Sequence, residues 1–268
     1  MHTEPGPVPN TPKDVRRACR DGSWTGHTAG LAPGYAQANL VILPTEYAAD
    51  FHSFCLRNPK PCPLLEVTEQ GIPTPSRIAP LADIRTDVPR YRVWEQGEAV
   101  DEPTDVLALW RDDLVGFLIG CSFTFEAALI REGLEVRHQA RGTNVPMFRT
   151  SIECEPVGPF AGELVVSMRP YSPADVVRAV EVTSQFPQVH GSPIHVGLPE
   201  LLGIDDLAHP DFGDAVPVGD DELPVFWACG VTPQAVLESA RVPFAITHAP
   251  GCMFVSDVRD DQLESDAL

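Results

Sequence analysis

The chain has 268 residues, 43% of them hydrophobic, and a net charge of −19 with lysines only at 13 and 60. It is long enough for one large domain or two smaller ones with a substantial core, and its charge repels polyanions, so neither DNA nor RNA is an expected partner. No apolar run approaches the ~20 residues of a membrane span. The start, Met1 to Pro5, lacks the basic and apolar pattern of a signal peptide, so a cytoplasmic location is expected.

Residues 1–10 read as a loose tail. Thr11 caps, Pro12 opens and Gly22 closes a short helix carrying Val15, Ala18 and Cys19. The Gly26–Gly34 loop that follows is no P-loop, because it has no Gly-Lys-Ser/Thr. Leu40–Leu43 is a short apolar run, strand or buried helix. Pro44 opens a helix with Tyr47, Phe51, Phe54 and Cys55 on one face, ending at Asn58 before a proline. Leu64–Val67 reads as a strand. Residues 70–90 are Pro-rich and irregular, a length that marks a functional or disordered loop. Tyr91–Trp94 and Glu98–Val100 flank Gln96-Gly97 as a hairpin.

Val106, Leu109, Trp110, Leu114, Phe117, Leu118 and Cys121 recur at helical spacing, and Phe125, Ala128 and Leu129 continue the period. The expectation is two helices, with Gly120 ending the first, Ser122 capping the second and Gly133 closing it. Such a helix end offers unpaired N–H groups to a carboxylate, with Cys121, Ser122 and Glu126 beside it. The plainer alternative is a helix junction with a buried Cys and a capping Ser. Farther on, Met147–Cys154 and Glu163–Met168 alternate like strands. Ser172-Pro173 starts a helix with Val176, Val177, Val180 and Thr183 inward, and Ile194–Val196 is another strand. After an acidic loop, Val225–Ala228 is a strand, Thr232-Pro233 starts a helix, and Phe244–Thr247 and Met253–Val255 are short strands. Asp260–Leu268 reads as an acidic tail. The fold class is therefore α+β in two subdomains: a layered, mixed-sheet unit from residues 11–104 and 201–259, and an inserted two-layer unit over 105–200.

Further candidates for chemistry stand at element ends. Cys229-Gly230-Val231-Thr232 joins a strand to a helix, where ligands of α/β sheets tend to bind. Cys229 becomes a nucleophile there if the helix end lowers its pKa, and is otherwise a buried structural thiol. His190 lies in a turn before His195, and the spacing of the two matches no standard metal motif. His248 precedes Ala249-Pro250-Gly251-Cys252, and one His with one Cys is too few for zinc. The seven cysteines are an odd number without a C-x-x-C pair and read as reduced thiols. Arg85 in the long loop and Arg169 before Pro170 are the cations placed for a carboxylate, although most arginines in so acidic a chain pair with surface acids.

Several stretches resemble a known family: Gly34–Leu40, Arg57–Pro63, Asp83–Asp87, Gly120–Glu126, Asn144–Met147, Val166–Pro170, Trp227–Pro233 and Ile246–Gly251. Together, from about Gly26 to Asp257, they resemble the bacterial hydro-lyase family related to the D-glutamate cyclase domain. The resemblance implies a lyase acting on a small amino acid or oxo-acid, with D-glutamate, cyclised to 5-oxo-D-proline and water, as the leading substrate. The pattern differs at Cys252, where a His is expected, and at Phe148, where a Tyr is expected.

Cyclisation needs a free amine, an activated γ-carboxyl and a protonated leaving hydroxide, hence a base, an acid and oxyanion donors. Glu126 with His190 or His248 would exchange protons, with Cys229 as the further catalytic candidate. Ser122, Cys121, Asn144 and Thr232 would contact substrate, and Arg169 or Arg85 would hold its carboxylate. The site is expected where the Ser122 helix end, the Cys229–Thr232 turn and the His248 turn meet. No resident metal or other cofactor is expected, a divalent metal being left open, and the partner is a small carboxylate, with a homo-oligomer left open. The rivals are a non-catalytic carboxylate-binding protein or subunit, and a Cys-dependent amidohydrolase.

Overall fold

A computed structural model describes residues 9–264. The protein is a mixed α+β fold with two antiparallel sheets. The first sheet has the strand order β2 (Leu64–Val67), β5 (Leu114–Gly120), β1 (Tyr35–Pro44), β10 (Ala245–His248), β3 (Tyr91–Glu95) and β4 (Glu98–Asp101). β11 (Phe254–Arg259) also pairs with β1. The second sheet runs β6 (Met147–Glu153), β7 (Glu163–Tyr171), β9 (Leu223–Ala228) and β8 (His195–Val196). The chain thus moves between sheets after Gly120 and after Ala228. Residues 114–120, assigned from sequence to the middle segment, belong to the first sheet, and residues 223–228 belong to the second.

Side-chain alternation sorts the core. Val41, Leu43, Phe117 and Ile119 of the first sheet share one apolar cluster with Val166, Met168 and Phe226 of the second. Leu40, Ile42 and Leu118 face the other way, onto Ile78, Ala82, Ile84 and Val88. The Pro-rich loop is therefore an ordered cover over the first sheet, packed by its own apolar residues. Helices α3 (Phe123–Arg131) and α5 (Pro173–Ser184) cover the far face of the second sheet, where Phe125, Ala179, Val225 and Trp227 pack together.

Five local expectations are corrected. Residues 106–121 are a short 3-10 turn, Leu107–Leu109, followed by β5 rather than a helix. Every residue of β5 is buried, because it lies between β1 and β2 and is covered on both faces. Such a strand reads as a continuous apolar run, and its period cannot be told from a buried helix. Gly120 accordingly ends a strand. A side chain there would come within 2.2 Å of the Gln188 carbonyl, so close approach, not a left-handed cap, requires the glycine. Val177 is 57% exposed, while Val176 and Thr183 point inward. Thr232 is the first residue of α6 (Thr232–Ala240), not its cap. Asp260, read as part of a tail, is buried and accepts from Arg131 at 2.9 Å. Residues 1–8 and 265–268 of the expected tails lie outside the described residues. The helix α1 (Pro12–Arg20), with its Thr11 cap, and α2 (Thr45–Arg57), ending at Asn58, form where the sequence puts them.

Candidate active site

The centre of the molecule is an ionic hub. Arg169 is 1% exposed, on β7, with its guanidinium between the Phe125 and Trp227 rings, 5.3 Å from each centroid. Its Nε donates to Glu126 Oε1 at 3.0 Å, and its Nη2 donates to the same oxygen. Nη2 also donates to Ser122 Oγ at 3.0 Å, and Nη1 to Ser167 Oγ at 3.1 Å. Gln139 donates to the other oxygen of Glu126. His138 Nε2 stands 3.1 Å from Glu126 Oε1, at ion-pair distance but without the alignment of a hydrogen bond. Burial alone would raise the Glu126 pKa. The close approach of His138 and the charge and hydrogen bonds of Arg169 outweigh burial and hold it down to about 2. Glu126 is thus an ionised carboxylate with both oxygens engaged. Ser122 does not cap α3, because its hydroxyl is turned to Arg169.

The two thiols lie beside this hub. Cys121 and Cys229 belong to one apolar cluster with Val145, Val165 and Met253. Burial pushes both up, Cys229 to about 11 even though Arg169 lowers it, and Cys121 farther. Both are therefore protonated thiols, and neither sulfur bonds a ring nitrogen among the described residues. Thr232 Oγ1 accepts from Val165 N at 3.0 Å and donates to Cys229 O at 2.7 Å, tying α6 to β7.

The three expected turns do approach one another, through Asn39 and Gln234. Asn39 donates to Gly120 O at 2.9 Å, and a side chain at Gly230 would fall 1.8 Å from Asn39 Nδ2. Gln234, on the first turn of α6, donates to His248 O at 2.9 Å. The common pocket expected of them is not found: none of Ser122, Thr232 and His248 lines any of the described clefts.

His248 occupies a break in the first sheet. β5 takes one edge of β1, so β10 and β11 share the other, and the chain loops out between them. At that break Leu40 N–H would lack a strand partner, and it donates to His248 Nδ1 at 3.1 Å. Nδ1 also stands 3.2 Å from Leu40 O, and in the tautomer that accepts from Leu40 N–H the neutral ring carries its proton on Nε2, which is buried and has no hydrogen-bond partner among the described residues. Burial lowers the His248 pKa to about 4, the contact of Nδ1 with the Leu40 carbonyl oxygen opposes this, and the Arg92 charge adds to the lowering. In the looped-out turn Gly251 has φ of 82°, and a side chain there would meet Asn144 Nδ2 at 2.5 Å.

His190 is clamped. Its Nδ1 donates to Lys60 O at 2.8 Å, while Lys60 Nζ donates to His190 O at 2.9 Å and to Ser192 O at 2.6 Å. Its pKa is lowered to about 4, chiefly by burial, with Lys60 and Arg169 adding to the effect against its backbone bonds. Arg85 is not brought to the centre. It pairs with Asp83 at 2.7 Å in the long loop and lies over Trp110. Phe148 packs in the inter-sheet core.

Arg92, Asn39, Gln234, His138, Gln139 and Ser167 were missed by sequence reasoning. Ser167 had a signal, two residues before Arg169 on a strand and hence on the same face. His138 and Gln139 lie on a one-turn helix, Arg137–Ala140, with no pattern pointing to Glu126. Among the described residues no three His, Cys, Asp or Glu side chains converge as a metal site would require. No described helix is long and apolar enough to cross a membrane.

The molecule is thus a mixed α+β protein with a buried ionic hub and a neutral histidine at a sheet break. Residues 115–257 match the family model described as D-glutamate cyclase. The chain belongs to the D-glutamate cyclase family. It is 63% identical to a protein named "Putative hydro-lyase" from Rubrobacter xylanophilus, over 94% of this chain and 97% of that one. Identity to a protein of the same name from Rhodopseudomonas palustris strain BisB5 is 59%, over 93% and 91% of the two chains. A nitrogen repressor-like protein from Methanococcus jannaschii superposes with a TM-score of 0.35 at 10% identity, over 92% of this chain and 98% of that one. That likeness is too loose to bear on fold or function.

Proposed function

We propose that the protein is a carbon–oxygen lyase that closes D-glutamate to 5-oxo-D-proline with release of water. Family membership supports the reaction class. The observation that carries the chemistry is His248, a buried, neutral ring whose Nε2 has no partner among the described residues and is the donor in the tautomer that accepts from Leu40 N–H. In the reaction the free α-amine attacks the γ-carboxyl carbon. A C–N bond forms and negative charge collects on a γ-oxygen; the C–O bond then breaks, and the two protons the nitrogen sheds on passing from ammonium to lactam N–H end on the departing γ-oxygen, which leaves as water. A fixed neutral donor stabilises that developing oxyanion without being titrated at neutral pH, a role of the kind worth roughly 10²–10³ in rate.

Glu126 acts in this reading as a positioning residue. With both oxygens engaged and a pKa of about 2, it locks Arg169. Arg169 in turn holds Ser122 at the entry of α3. The Cys-dependent alternative has less support, since burial keeps both thiols protonated. The donors of Arg169 are taken up by Glu126, Ser122 and Ser167, so it does not hold the substrate carboxylate, and one experiment separates a carboxylate-binding protein from a catalyst. The purified protein is incubated with D-glutamate, L-glutamate and 5-oxoproline, with and without a divalent metal, and conversion is followed by chromatography. Formation of 5-oxoproline from D-glutamate is expected. Binding without turnover of either enantiomer in either direction overturns the proposal.

A further inference from the structure

A cleft of about 410 Å³ opens between the Gly26–Gly30 loop, β3 and the looped-out turn after His248. Arg90, Arg92, Asn144, Asp211, His27 and Cys252 are among its lining residues. We infer that this cleft is the substrate site and takes a small dicarboxylic amino acid, with the arginines on the carboxylates and Asp211 on the ammonium. The inference rests on the reaction proposed above for its link to catalysis, but the binding claim stands on the cleft itself.

Charge is the first argument. The chain carries −19, and in another cleft of about 410 Å³ Glu163, Asp205, Asp206 and Asp211 outnumber the one arginine, Arg149, and repel an anion. Here two guanidiniums share one carboxylate. Arg92 donates to Glu102 Oε1 through Nε at 2.8 Å and Nη2 at 2.6 Å, while Arg90 Nη1 is 3.8 Å from Glu102 Oε2. The two guanidiniums exceed Glu102 by one positive charge, which Asp211 balances from elsewhere on the lining, and guanidinium matches carboxylate bidentately. Asp211 gives one oxygen to Arg149 N–H at 2.8 Å, and its other oxygen accepts no hydrogen bond from the described residues. Acid and base together complement an amino dicarboxylate better than a simple anion.

The second argument is connection. Arg92 Nη1 reaches Gln234 Oε1 at 3.5 Å, and Gln234 donates to His248 O at 2.9 Å. His248 itself is fully buried and lies behind the wall, of which Ala249 and Pro250, the residues that directly follow it, form part. The arginine that would seat a carboxylate is therefore tied to the strand end that positions His248. A third sign is His27 Nδ1, buried at the cleft with no partner among the described residues, a polar group whose cost falls when a ligand hydrogen-bonds to it. The volume falls within the ~300–1,000 Å³ typical of small-ligand sites.

Calorimetric titration with glutarate, which lacks the amine, and with D-glutamate tests this independently of turnover. Wild type should bind both. Arg90→Gln and Arg92→Gln should each weaken both ligands about tenfold or more. Asp211→Asn should weaken D-glutamate and leave glutarate unchanged, a split that general damage to the fold would not produce. Arg90 is 43% exposed, so its variant should melt with the wild type. Unchanged affinities in both arginine variants, or no binding of either ligand by wild type, overturn the site. Loss of binding in these variants from a protein that never turns over D-glutamate supports the cleft and sinks only the reaction.

Discussion

Replacing Glu126 by Gln tests the hub most sharply. The substitution keeps the shape but removes the negative charge that faces a fully buried guanidinium. Removing one partner of such a pair leaves an uncompensated buried charge, a loss of roughly 3 kcal/mol at neutral pH. At ~2–4 °C per kcal/mol for a chain of this size, the melting temperature should fall by roughly 6–12 °C. The folded pKa of Glu126 is depressed from 4.5 to about 2. Its stabilisation is therefore complete above about pH 4.5 and vanishes as the pH falls through about 2, an amount of about 3 kcal/mol at 1.36 kcal/mol per unit. Urea unfolding of wild type and Glu126→Gln at pH 7, 5, 4 and 3 should show a gap that is full at pH 7 and 5 and narrows below. A double variant, Glu126→Leu with Arg169→Met, removes both charges and should be much less destabilised than Glu126→Gln. A gap below about 1 kcal/mol at pH 7, or one that does not narrow in acid, refutes the account of the hub.

His248→Asn should retain an acceptor for Leu40 N–H and lose the Nε2–H, so kcat should fall about 10²–10³-fold with little change in melting temperature at pH 7; steady-state kinetics beside a thermal melt check both. Burial lowers the folded His248 pKa from 6.5 to about 4, so its stabilisation is complete above pH 6.5 and is lost as the pH falls toward 4. The same variant should flatten the wild-type loss of stability across that window, and an unchanged slope counts against the burial of this ring. Gly251→Ala adds a side chain at φ 82° and 2.5 Å from Asn144 Nδ2, and should cost about 1–3 kcal/mol, read by urea unfolding. Native protein treated with iodoacetamide at pH 8 should keep its activity, with Cys121 and Cys229 unlabelled by mass spectrometry until it is denatured; rapid inactivation would revive the thiol mechanism.

Much of the fold could be read in the sequence because its punctuation is local. Thr11-Pro12, Ser172-Pro173, Asn58-Pro59 and Gln96-Gly97 fix element ends through capping and turn geometry whatever lies around them. β5 could not be read, because a strand covered on both faces has no polar side to reveal its period. Membership of the sheets was hidden for a similar reason, since register between distant strands leaves no mark in either one. In the site, Glu126, Arg169 and Ser122 were named and do touch. Their relation was not foreseen, because a cap-like Ser and a helix-start Glu look the same whether they face solvent or a buried cation. Arg92 and Gln234 were passed over as ordinary strand and helix residues, and only closure of β3 against α6 gives them a common neighbour in His248.

The central claim is that water leaves from the γ-carboxyl of D-glutamate, and isotopic labelling tests it directly. D-glutamate carrying ¹⁸O on both γ-oxygens is incubated with the protein, and the product is analysed by mass spectrometry. The account predicts 5-oxoproline with one labelled oxygen, in the lactam carbonyl, and the other in the released water. Failure to form 5-oxoproline, or a product formed by loss of ammonia with both labels retained, would contradict it.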